Sequence, residues 1–143
     1  MQCGYIERVL LKYGMIDCHP VSIPLDPNSP LRKMETGTEI YDINEYQSMI
    51  GSLVYAVMGT RSDLAHLVTA LSQFSSPNQI HLQAANRTLR YLKVTMDWKL
   101  LYPKAQNDSM DLMYYSDASY GSSLDDRRSY FGYIILLGDA AVS

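Results

Sequence analysis

The spacing of apolar residues changes once along this sequence, near Thr95, and that change divides what the chain can fold into. Before it, apolar positions recur every three to four residues, the period that lines one face of an α-helix. After it, short apolar runs alternate with turn-forming residues, the pattern of strands. Tyr5, Ile6, Val9, Leu10 and Tyr13 predict a first helix that Gly14 can cap. Asn44 is a candidate N-cap for a second helix that ends at Gly59. Its inward stripe is Met49, Ile50, Leu53, Val54 and Val57, with Gly51 and Ser52 admitting a close neighbour. A third helix begins near Thr60 or Ser62, where Thr60 to Asp63 has the form of a capping box, and buries Leu64, Leu67, Val68, Leu71 and Phe74. Asn78 opens a fourth that runs to about Lys93, with Ala84, Ala85, Thr88, Leu89 and Leu92 inward.

Four of the six prolines fall between Pro20 and Pro30. Proline fixes φ and lacks an amide proton, so this stretch, continued by polar residues through Thr38, reads as an extended linker. Beyond Thr95, Trp98 to Tyr102 is a candidate short strand. Leu112 to Ala118 and Tyr130 to Leu137 are longer ones, and Gly138-Asp139 is a turn into a third that starts at Ala140. Tyr130 to Leu137 is apolar on both faces, as in a strand inside a covered sheet. The expected class is α+β: a unit of three to four helices, then a partial antiparallel β-meander. The natural divisions are residues 1–43, 44–104 and 105–143.

A net charge of −3 gives the whole chain no pull on nucleic acid, so any such contact needs a local basic stripe. Arg87, Arg90 and Lys93 recur every three residues on the fourth helix and make one, with Arg61 as a further candidate. An ordinary solvated helix face is the plainer reading of that row. Tyr91 and Trp98 can stack on bases, but such aromatics more often fill a core or a seam. Cys3 and Cys18 form no CxxC pair and no zinc-ligand cluster, which points to reduced thiols without a disulfide partner. No signal peptide and no apolar run of membrane-spanning length is evident, so an intracellular chain with no membrane partner is expected. The last residues lie inside a candidate strand, where a natural domain rarely stops.

Four stretches in order resemble the copia-type retrotransposon Pol polyprotein. They are Tyr13-Gly14-Met15 with Cys18-His19-Pro20-Val21; Tyr46 to Tyr55 with Gly59-Thr60-Arg61-Ser62-Asp63-Leu64-Ala65; Leu71-Ser72-Gln73-Phe74 with Arg87 to Lys93; and Tyr115-Ser116-Asp117-Ala118-Ser119 with Asp125 to Ser129 and Phe131-Gly132-Tyr133. The resemblance covers nearly the whole chain. Departures are Ser62 where the family usually has proline, Val94 where it has glycine, Ser119 and Tyr120 in place of an acidic residue and Trp, and Tyr130 where a small residue is common.

The resemblance implies the tail of a reverse transcriptase followed by the opening strands of an incomplete ribonuclease H-like sheet. Ribonuclease H cuts the RNA of a hybrid with two divalent ions held by several carboxylates. Asp117 matches the first of those acids, and the others belong to later elements of the family fold, so Asp117 is expected to be a vestigial metal ligand. Asp125 and Asp126 are read as compensating Arg127 and Arg128 in a turn. No Tyr-x-Asp-Asp hairpin is present to carry polymerase chemistry. The expectation is a catalytically inactive polyprotein fragment with no cofactor of its own, where the intact family enzyme uses Mg²⁺. The alternative is a non-catalytic module that contacts an RNA–DNA hybrid or template-primer through Arg61, Arg87, Arg90 and Lys93.

Overall fold

A computed structural model describes residues 2–26, 31–32, 42–100, 102, 111–121, 127–137 and 140–142. Pro27, Pro30, the residues from Lys33 through Thr38, Asp125-Asp126 and the Gly138-Asp139 turn lie outside them. Among the described residues, four helices precede a three-stranded antiparallel sheet, the α+β class expected. The chain forms two compact units, residues 1–99 and 100–143.

In the first unit, helix α1 (Cys3–Lys12) buries Ile6, Val9 and Leu10. Gly14 ends it as the sequence suggests. At φ 65° its backbone takes the left-handed turn that lets the Gly14 and Met15 amides reach the Leu11 and Leu10 carbonyls at 3.1 and 2.8 Å. Helix α2 (Ile43–Gly59) is capped by Asp42 rather than Asn44: the Asp42 carboxylate accepts the Glu45 amide at 3.0 Å. A carboxylate there also favours the positive end of the helix dipole.

The buried stripe of α2 is Tyr46, Met49, Ile50, Leu53 and Ala56. Val57 packs at its margin, and Val54 is exposed, contrary to the expected stripe. Gly51 has open space above it, so it admits no close neighbour. The close approach is at Gly59, where a Cβ would run into the Gln2 side chain, itself held by the Thr60 hydroxyl at 2.7 Å. Thr60 therefore does not cap the next helix. A 3-10 turn at Ser62–Leu64 leads into α3 (Ala65–Ser72) without a side-chain cap.

Leu64, Leu67, Val68 and Leu71 are buried as expected, and Phe74 lies against the His81 ring with centroids 3.8 Å apart. Helix α4 (Gln79–Val94) starts at Asn78 in a reciprocal capping box. The Asn78 side chain accepts the Ile80 and His81 amides, and the Asn78 amide donates to His81 Nδ1 at 3.0 Å. All five predicted inward residues of α4 are buried. Helix α1 shares this core with α2, α3 and α4. Each fully buried Leu contributes about 1.5–3 kcal/mol.

In the second unit, β1 (Leu112–Ser119) pairs with β2 (Tyr130–Leu137) from Leu112↔Leu137 to Ser119↔Tyr130, and β3 (Ala140–Ala141) adds to the far side of β2. Trp98 to Leu100 form no strand, a correction to the sequence reading. The expected covering of β2 is also absent among the described residues. Side chains alternate across a sheet, which puts Phe131 and Ile134 on opposite faces, and they are 65% and 41% exposed. Tyr114 and Tyr133 stack across the strands at 6.2 Å.

Candidate functional site

The basic row of α4 sits beside its buried face and is half-buried itself. The segment from Met15 to Asp26 runs antiparallel along it. Arg87 Nε donates to the Ile23 carbonyl at 3.1 Å, Arg90 Nε to the His19 carbonyl at 2.6 Å, and Lys93 Nζ to the Cys18 carbonyl at 2.8 Å. Met15, Val21 and Leu25 anchor this segment on the core. Asp26 stands 3.9 Å from Arg87 Nη1, a loose ion pair. The row predicted from the sequence is thus real as a row, but it is not a bare solvated face. Apart from Asp26, its partners are main-chain carbonyls, which carry no residue signature, so nothing in the pattern 18–23 announces them.

Arg61 is a correction. Expected at a nucleic-acid surface, it is 1% exposed and lies in the core. Its Nε and Nη2 grip the Asp63 carboxylate at 2.9 and 2.8 Å, and its Nη1 and Nη2 reach the carbonyl and hydroxyl of Thr95 at 3.2 and 2.7 Å. A guanidinium taken out of water needs partners for its donors, and these bonds occupy four of its five N–H groups. The Tyr91 and Trp98 rings flank the cation at 5.4 and 5.8 Å. Tyr91 is buried and donates its hydroxyl to Asp63 at 3.1 Å, whereas Trp98 is 60% exposed. Partial burial pushes the Asp63 carboxyl up, but the hydrogen bonds and charge of Arg61, with the Tyr91 hydroxyl, outweigh it and hold Asp63 below the usual carboxylate range. Arg61 thus joins the α2–α3 junction to the end of α4, a role that no local spacing reveals.

Asp117 lies on β1 opposite Gly132, on the same face as Tyr115 and Ile134, and is exposed. Its carboxylate accepts the Ala118 amide at 2.9 Å. Among the described residues, no group of three or more His, Cys, Asp or Glu side chains converges as a metal would require. A two-metal centre does not fit the described residues, since one carboxylate cannot hold two hard cations against water. Asp125 and Asp126 lie outside the described residues. Cys3 and Cys18 do not lie at disulfide distance from each other, and no described helix is long and apolar enough to cross a membrane.

Sequence comparison gives relatives along the whole chain. The chain is 39% identical over 143 residues to the retrovirus-related Pol polyprotein from transposon RE1 of Arabidopsis thaliana, covering 99% of this chain and 10% of that protein. It is 35% identical to the corresponding polyprotein from transposon TNT 1-94 of Nicotiana tabacum, over 97% of this chain and 11% of that one. It is also 40% identical over 99 residues to the secreted RxLR effector protein 161 of Plasmopara viticola, 68% of each chain. The chain spans about a tenth of the length of the two polyproteins. No family model and no solved structure matches.

Proposed function

Because the chain belongs to the retrovirus-related Pol polyproteins of copia-type transposons, we propose that it is the segment joining the end of the reverse transcriptase to the opening strands of ribonuclease H. The observation that carries this reading is the relationship itself, which runs over nearly the whole chain rather than over one motif. The division into a helical unit and a strand meander supports it. In this reading the helical unit is the connection between the two activities, and Asp117 stands where the first ribonuclease H acid belongs. The 143 residues hold Asp117 as the one acid matching that metal-ligand pattern, so on their own they cleave nothing.

The retained function is contact with the backbone of an RNA–DNA hybrid or template-primer through Arg87, Arg90 and Lys93. Arg61 is excluded from that contact by its burial. The test has two arms. A purified chain given a hybrid and Mg²⁺ is expected to leave the RNA intact; metal-stimulated cutting that Asp117→Asn abolishes would overturn the inactive reading. The same hybrid titrated with the chain at low and high salt is expected to bind more weakly as salt rises. Binding that is absent at low salt removes the nucleic-acid role.

A further inference from the structure

The three cations of α4 have an unusual set of partners. Arg90 and Lys93 are each held by a neutral main-chain carbonyl, and so is Arg87, with Asp26 the one carboxylate of the described residues in ion-pair reach of the row. A carbonyl fixes the direction of a cation without cancelling its charge. In both arginines the carbonyl takes Nε–H; this leaves the Nη edge of Arg90 for an oxyanion, and in Arg87 that edge is loosely faced by Asp26, which a phosphate would displace. Lys93 gives one proton to Cys18 and retains two. A stripe of long side chains normally loses rotamer freedom when it binds, and here that loss has been met in advance.

We infer that the segment from Cys18 to Ile23 is a positioning element: its carbonyls aim Arg87, Arg90 and Lys93 as a fixed rail for consecutive phosphates of one nucleic-acid strand. The inference rests on the nucleic-acid reading above and adds the loop and the ligand geometry to it. From Arg87 to Lys93 the helix rises about 9 Å. One strand of a duplex advances about 3.4 Å along the axis per phosphate while winding around it, so the straight row faces about two to three phosphates.

The experiment is anisotropy of a labelled RNA–DNA hybrid with the full chain across a range of salt. Two to three phosphate contacts give a slope of log K against log salt of about −1.8 to −2.7, and Arg87→Gln or Arg90→Gln flattens it by about 0.9 each. Val21→Ser loosens the loop anchor and keeps every cation. It is expected to leave the slope unchanged and to weaken binding about tenfold at fixed salt, the cost of re-ordering the freed side chains. Leu25→Ser, a second anchor, does the same and stands in if Val21→Ser fails to fold. No salt-sensitive binding by the parent chain defeats the nucleic-acid reading as a whole. Arginine variants that flatten the slope beside folded loop variants that bind as tightly as the parent, or more tightly, overturn the positioning role alone.

Discussion

Arg61 and Asp63, two residues apart, close a two-pronged ion pair whose cation is buried and whose anion keeps a side chain 32% exposed. The pair is asymmetric in consequence. Removing the negative partner leaves a charge in the core, while removing the positive one leaves a carboxylate that water can still reach. Asp63→Asn is expected to destabilise the chain by about 2–4 kcal/mol, toward the lower end for a broken buried pair because Asp63 is partly solvated. Urea unfolding followed by helical circular dichroism measures it, and a loss below 1 kcal/mol would show that Arg61 needs no counter-charge.

The same pair sets an acid limb. Asp63 titrates below its usual range in the folded chain, so the unfolded state takes up its proton first as pH falls. The stability it contributes is complete above the unfolded carboxylate value, about 4, and is lost as pH drops through the lowered folded value. Melting temperature should fall below about pH 4, and less steeply in Asp63→Asn than in the parent chain. Parallel acid limbs in the two proteins would assign the effect to other carboxylates.

Tyr46 is the corresponding group on the alkaline side. Its ring is buried, its hydroxyl donates to the Leu71 carbonyl at 2.9 Å, and burial pushes the phenol well above its ordinary value. Stability from the neutral phenol is complete below about pH 10 and is lost as pH rises through that range toward the folded value. Tyr46→Phe keeps the ring, removes the bond to α3 and is expected to cost about 1 kcal/mol at neutral pH. It should also remove part of the alkaline decline, read as melting temperature between pH 8 and 11; an unchanged decline refutes the assignment.

The parts of this fold legible in the sequence are those where one residue's neighbours along the chain decide its place. Ile6, Val9 and Leu10, or Ala84, Ala85 and Leu89, are buried because helical spacing puts them on one side, and Asn78 caps because it precedes a helix. Where competition at a distance decides, local patterns mislead. Thr60 and Asp63 fit a capping box, but Gln2 takes the hydroxyl of one while Arg61 and Tyr91 take the carboxylate of the other. The charge on Arg61 reads as a surface feature until Thr95, far along the chain, supplies its acceptors. The loop carbonyls that meet Arg87, Arg90 and Lys93 are invisible to any residue pattern, because every residue has one. The strand that carries Asp117 is legible as a short apolar run between turn-forming residues.

Every buried residue of the described chain lies between Ile6 and Thr95, within the helical unit. The strands contribute none, and Leu112, Tyr114 and Phe131 on one face and Tyr115 and Ile134 on the other remain exposed. Exposed apolar area of this kind favours self-association rather than stability. Residues 1–99 alone are therefore expected to keep the cooperative helical transition of the full chain, with a melting temperature within about 5 °C of it, a shift that corresponds to no more than about 1 kcal/mol. They are also expected to elute as a monomer under conditions in which the full chain spreads toward larger species on gel filtration. The two readouts separate two failures. A non-cooperative 1–99 would mean that the sheet supports the helices, and a monomeric full chain would mean that the exposed strand faces do not drive association.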